Sequence, residues 1–232
     1  MPHASLPSLL RRHADLIGPL VPLDLNVPGA CRLDLTAANP ELAGADLRDT
    51  AAFTALVQLL LRQQGATLGL GGYLEDRIIY RRSPHFDAAA EKRSVHLGID
   101  LWLPAQTPVL APLPGQVHSF RDNAGFGDYG PTIILQHELA GQVFYTLYGH
   151  LSRASLAGLH PGQARAPGQT FARVGPYPEN GDWPAHLHFQ VLTDLLGQEG
   201  DFPGVCTPAQ QQRFARICPD PNLILKSRVL GY

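Results

Sequence analysis

The sequence is short of several things. Among its 232 residues there are three cysteines, Cys31, Cys206 and Cys218. That small, odd number excludes a disulfide-built scaffold. No two of them have the close Cys-x-x-Cys spacing of a structural zinc site. Cys206 and Cys218 can be read either as a bridge near the C-terminus or as free thiols. Charged residues make up only 16% of the chain and the net charge is -2, so the basic footprint of a nucleic-acid-binding protein is missing. No apolar run reaches membrane-spanning length, and there is no low-complexity tract or internal repeat. The opening MPHASLPSLLRRHADLIGPLVPLDL does not have the ordered regions of a secretory signal. Arg11, Arg12 and His13 interrupt its apolar residues, and Pro19 and Pro22 follow. As written, the chain is expected in the cytoplasm; a leader removed upstream would imply the periplasm or cell wall instead. Neither membrane insertion nor a nucleic-acid partner is expected, and no pattern fixes the oligomeric state.

Hydrophobic residues are plentiful at 44%, enough to bury a core. Gly (23) and Pro (21) together make up about a fifth of the chain. They are spread through it, which suits a turn-rich β protein. From about residue 90 the text breaks into short strand-like runs: Pro108 to Pro112, Gly115 to Phe120, Thr132 to Gln136, Val143 to Tyr148 and His186 to Leu192. The segment HELAGQ between two of these runs reads as a hairpin connection. Together the runs predict antiparallel sheet, packed as a sandwich or partial barrel. The first 85 residues read differently, as an N-terminal cap. Leu47 to Gln64 carries Phe53, Leu56, Val57, Leu60 and Leu61 at helical spacing, with Asp49 or Thr50 as a cap and Gly65 as a stop. Arg77 to Arg82 (RIIYRR) reads as a short strand, Pro208 to Ile217 as a helix, and Cys218-Pro-Asp-Pro as a turn. The predicted organisation is a cap over 1–85 and a β domain with a C-terminal extension over 86–232.

Ten histidines are many for this length. His3, His13, His85 and His160 have no partner at a useful spacing and read as exposed or locally bonded. His118 and His137 read as satisfied sheet residues. His186-Leu187-His188 is different. On a strand, positions i and i+2 face the same way, and two adjacent imidazoles do not suit a plain apolar core. His96-Leu-Gly-Ile-Asp100 pairs an imidazole with a carboxylate. These ligand types bind zinc in hydrolytic sites while leaving a position open; a structural His–Asp hydrogen bond is the alternative. Tyr148-Gly-His150-Leu-Ser ends an apolar run, where a side chain can look into a cleft. Other metal patterns fail. His137-Glu138 begins an H-E-x-x-H motif, but Gly141 stands where its second histidine belongs. A cupin site needs a Glu shortly after H-x-H, where this chain has Leu192 and Thr193.

HLGID, YGHLS and HLHF, in this order, resemble the motifs of the lysostaphin-type zinc metalloendopeptidases, which cleave peptide cross-links of bacterial peptidoglycan. The text between them, PAQTPVLAPLPGQV, YGPTIILQH and Pro167-Gly-Gln, is similar to the family as well, and the resemblance covers roughly residues 90 to 195. It implies a duplicated-hybrid-motif-like antiparallel β domain with one zinc ion held by His96, Asp100 and His188. His150 and His186 would be the catalytic histidines acting on a peptide or peptidoglycan substrate, with their roles not yet divided. The stretches DNAGFGDYGPT and ENGDWPAHLHFQVLTDLLGQEGDFPGV resemble a peptidase-like domain embedded between kinase-like and aminotransferase-like domains of larger cytoplasmic proteins. Two other readings therefore stay open: a cytoplasmic zinc hydrolase of another amide or peptide, and a non-catalytic regulatory module.

Overall fold

A computed structural model of the protein describes residues 5–86 and 91–232; His3 lies outside them. The first part of the chain carries helix α1 (Leu6–Arg12), strand β1 (Ala30–Leu33), the short α2 (Pro40–Ala43), the long α3 (Thr50–Gln63) and β2 (Leu68–Gly71). Then come β3 (Val95–His96), β4 (Ile99–Trp102), β5 (Pro108–Leu110), β6 (Gly115–Asn123), β7 (Gly130–Leu139) and β8 (Gln142–Gly149). The chain finishes with β9 (Ala164–Arg165), β10 (Thr170–Arg173), β11 (Leu187–Leu192), β12 (Val205–Cys206), α4 (Gln211–Ile217) and α5 (Asn222–Leu225). Among the described residues no helix is long and apolar enough to cross a membrane.

Eight strands form one sheet in the order β1-β2-β4-β11-β8-β7-β6-β9, and its two ends do not meet. Only β1 and β2 pair in parallel; the other neighbours are antiparallel. β5 pairs with β10, and β3 with β12, in two small accessory sheets. The fold is therefore mainly β and open. The HELAGQ connection is a two-residue hairpin loop. Ala140 and Gly141 both have positive φ, 51° and 80°, as in the turn whose twist matches that of paired strands.

Period-two alternation decides what each strand buries. In β4, Ile99 and Leu101 enter one core; in β11, Leu187, Phe189 and Val191 join them. Val109 of β5 and Ala172 of β10 lie in the same core, so the small sheet forms a second layer there. Leu6, Leu9 and Leu10 of α1 and Leu223 to Leu225 of α5 also belong to it. The residues between, Asp100 and Trp102 on β4 and His188 and Gln190 on β11, face the other way. α3 covers part of that second face. Its Phe53, Leu56, Val57 and Leu60 pack with Trp102 and Trp183. The helix begins where Asp49 accepts the free N–H groups of Ala51 and Ala52, at 2.8 and 3.1 Å.

Arg77 to Arg82 is not a strand: Ile79–Arg82 is a 3-10 helix. A strand would alternate burial, but Arg77, Ile79, Tyr80 and Arg82 are all buried, and a tight turn accommodates this better than a pleat. The three cysteines are buried free thiols, so Cys206 and Cys218 do not pair.

Phe53 is completely buried and meets both Trp102 and Trp183 edge-on, with ring centroids at 5.9 and 6.2 Å. Phe53→Ala is expected to lower unfolding stability by about 3–5 kcal/mol, measured from urea midpoints. A loss below about 1 kcal/mol would mean that α3 does not close this face.

Candidate functional site

Register brings the candidate residues together. Asp100 on β4 lies directly opposite His188 on β11, and His188 lies opposite Gly149 on β8, one residue before His150. Directly opposed residues share a sheet face. His186, two residues before His188, shares it as well. His96 arrives from β3, across the break at Leu97-Gly98. A Cβ on Gly98 would sit 2.6 Å from His188 Cε1 and 2.7 Å from the Phe189 carbonyl oxygen, so only glycine fits between these two candidate ligands.

Three atoms converge. His96 Nε2 is 3.0 Å from His188 Nδ1, His188 Nδ1 is 3.1 Å from Asp100 Oδ1, and His96 Nε2 is 3.3 Å from Asp100 Oδ1. The outward atoms of the same side chains reveal what occupies these positions. His96 Nδ1 lies 3.1 Å from the Gly72 carbonyl oxygen. A carbonyl only accepts, so Nδ1 carries the proton and Nε2 is bare. His188 Nε2 lies 3.1 Å from Gln190 Oε1. The Gln190 amide is oriented because its Nε2 donates to the Pro203 carbonyl and to Cys218 Sγ, both at 3.2 Å. His188 Nε2 therefore donates to Gln190 Oε1, and Nδ1 is bare. Asp100 Oδ2 accepts from the buried Arg77 guanidinium. Two imidazole lone pairs and one carboxylate oxygen thus face one another without a proton between them.

Such a triangle could hold a cation. Tetrahedral zinc with ligands at about 2.0–2.1 Å implies ligand-to-ligand edges of about 3.3 Å, close to the spacings found. Among the described residues, His96, Asp100 and His188 are the one group of histidine, cysteine and acidic side chains placed to hold a metal. Burial, with Arg77 nearby, pushes His96 down to about 4, which keeps the imidazole neutral as a ligand must be. Burial alone would raise the Asp100 carboxyl, but the Arg77 guanidinium beside it holds it well below the usual carboxylate range.

His150 and His186 stand together, ring centroids 4.2 Å apart. His150 Nδ1 donates to the Asn180 carbonyl at 2.8 Å, and His186 Nδ1 donates to the Pro184 carbonyl at 2.7 Å. Each therefore keeps a bare Nε2. Trp102 stacks on His186 with centroids 4.3 Å apart. His150 has φ of 60° and is tied on both sides: its N–H donates to the Tyr129 carbonyl and its own carbonyl accepts from Gly175, each at 2.8 Å. Burial pushes His186 down to about 4 and, together with the nearby His186 and His188, holds His150 well below the usual imidazole range.

Asp100, His150, His186 and His188 line one cleft, walled by Tyr80, Phe86, Tyr129, Trp183 and Phe202. Its cavity measures about 200 Å³. His85, read from the sequence as a bystander, also lines it and lies 3.9 Å from Asp128. His137 is satisfied within the sheet by the Pro114 carbonyl and Thr146 Oγ1, each at 2.8 Å. The sequence reading missed Arg77, Glu75, Tyr129 and Gln190. Gln190 was within reach, since it continues the His186–His188 alternation; nothing in the text marked Arg77.

These shifts fix a pH dependence. His96, His137 and His186 are each lowered by burial from 6.5 to about 4. Between those values the unfolded chain binds more protons than the folded one, so stability falls as pH drops from about 6.5 towards 4. Urea midpoints of metal-free protein across that window should decline steadily; a level midpoint would contradict the buried, neutral state of these rings.

Similar solved structures include a putative peptidase M23 from Pseudomonas aeruginosa, 22% identical, covering 60% of this chain and 48% of that one at a TM-score of 0.39. A zinc containing peptidase from Vibrio cholerae is 27% identical, covering 42% of this chain and 27% of that one at a TM-score of 0.32. The catalytic domain of lysostaphin from Staphylococcus simulans is 23% identical, covering 52% of this chain and 80% of that one at a TM-score of 0.35. The chain thus spans under half the length of the first two. A search of curated protein sequences finds no match. Residues 94–199, which contain all five candidate side chains, match the family model described as Peptidase family M23.

Proposed function

We propose that this protein is a zinc-dependent endopeptidase that hydrolyses peptide bonds in peptidoglycan cross-links or their fragments. The observation that carries the reading is the proton-free triangle of His96, Asp100 and His188 beside two imidazoles with a bare Nε2. The match of residues 94–199 to a peptidase family supports it. In this reading 86–232 is the peptidase domain and 1–85 a cap that adds side chains to the site. The stretches around Asn123 and Trp183 support a relation to peptidase-like domains embedded in larger proteins.

His96 Nε2, His188 Nδ1 and Asp100 Oδ1 would hold the zinc, which when bound supplies Lewis acidity towards a peptide carbonyl and towards water. His150 and His186 perform the proton transfers. Either bare Nε2 accepts the proton of the water that attacks the peptide carbon, and the resulting imidazolium returns it to the departing amine. With the rings this close, a proton on one disfavours a proton on the other, so the pair works with one proton at a time. Nδ1 cannot take part in either ring, because it is committed to a backbone carbonyl.

Variants separate the roles. His188→Ala is expected to lose zinc and activity together. His150→Ala is expected to retain zinc, measured by metal analysis, while losing about 10²–10⁴ in rate. Loss of zinc from His150→Ala would overturn this division of labour. The substrate is tested by incubating zinc-loaded protein with purified sacculi and identifying the released muropeptides by mass spectrometry. Cut cross-links support the proposal, and intact cross-links after prolonged incubation with fully loaded protein contradict it.

A further inference from the structure

We propose that Arg77, a residue outside the matched segment 94–199, is a positioning residue of the metal centre. It fixes Asp100 as a ligand that offers one oxygen. The inference rests on the metal reading above and concerns how the centre is held.

The guanidinium is fully buried, with none of its side chain exposed. Every edge is used. Nη1 donates to Asp100 Oδ2 and, at 3.3 Å, to the Tyr80 hydroxyl; Nε donates to Glu75 Oε2 at 2.8 Å; Nη2 donates to the Gly72 carbonyl at 3.1 Å. The Gly72 carbonyl also accepts from His96 Nδ1. One cation therefore grips one candidate ligand directly and shares an acceptor with another. The backbone holds this segment to the His96 strand: Leu74 N–H donates to the His96 carbonyl, His96 N–H to the Glu75 carbonyl, and Arg77 N–H to the Ser94 carbonyl, at 2.8 to 3.0 Å.

This geometry divides the two oxygens of Asp100. Oδ1 faces the two bare imidazole nitrogens, and Oδ2 is taken by Arg77. A free carboxylate beside a divalent ion can turn both oxygens towards it, which fills a position a hydrolase needs open. Arg77 prevents the turn. Glu75 in turn is shared between Arg77 and, at 3.5 Å, Arg32. Lysine could supply the charge, but its ammonium cannot span Glu75, Gly72 and Asp100 at once as a planar fork does.

The test uses the full chain and two variants. Arg77→Met combined with Glu75→Gln removes the clamp and leaves Asp100, but not Glu75, as a carboxylate without its guanidinium; Arg77→Lys keeps the charge and loses the fork. Zinc affinity is measured by competition with a chromophoric chelator, and the visible absorption of cobalt-substituted protein reports coordination number. Both variants are expected to bind zinc about 10- to 100-fold more weakly, the double variant more so. Its cobalt bands should lose intensity as Asp100 becomes a two-oxygen ligand. A folded variant, judged by circular dichroism and melting temperature, with the zinc Kd and cobalt spectrum of wild type would overturn the proposal. If the double variant does not fold, Arg77→Lys decides on the same two readouts. Wild-type protein that fails to bind zinc would instead refute the metal reading itself.

Discussion

Three electron-rich atoms meet where β4 pairs with β11, and their mutual repulsion is the constraint that much of the surrounding structure answers. Each atom is bare because its own side chain is committed elsewhere: His96 to the Gly72 carbonyl, His188 to Gln190, Asp100 to Arg77. These outward bonds come from separate parts of the chain. Gly72 and Arg77 precede the matched segment, and Gln190 is itself steadied by Pro203 and Cys218 beyond or near its end. Outer partners of this kind set ring orientation and tautomer. The triangle is consequently a product of the whole chain, although its three atoms come from two short motifs.

The rest of the fold positions that row of residues. One face of β4 and β11 is anchored in apolar core, which leaves the alternate residues no choice but to face the cleft. α3 presses Phe53 onto Trp102 and Trp183, and those rings in turn border His186 and His150. Packing on the helix side thus reaches the His150–His186 pair through two aromatic contacts. A pair of buried imidazoles is unfavourable unless both stay neutral and hydrogen-bonded. The backbone carbonyls of Asn180 and Pro184 provide that bond, and they fix the tautomer.

Much of this was legible in the sequence because it depends on local periods. The i, i+2 rule placed His186 and His188 on one face, and strand alternation with turn chemistry marked the sheet and the Ala140-Gly141 hairpin. Helical spacing and Asp49 marked α3. The four-residue step from His96 to Asp100 was visible, but the need for Gly98 appears only when β11 is laid beside it. Arg77 was out of reach. It sits 23 residues from Asp100, its neighbours read as a strand, and a buried arginine has no signature in composition or period. Its burial becomes intelligible only with Glu75 and Asp100 around it. His85 was passed over for the same reason: the cleft it lines is assembled from segments distant in sequence.

The central claim is that His96, Asp100 and His188 form a zinc centre of two imidazoles and one carboxylate. Zinc-edge X-ray absorption on protein loaded with one equivalent of zinc addresses it directly. The account predicts nitrogen and oxygen scatterers at about 2.0–2.1 Å with the outer-shell pattern of two imidazoles. A sulfur shell at about 2.3 Å, or a spectrum without imidazole scattering, would contradict it.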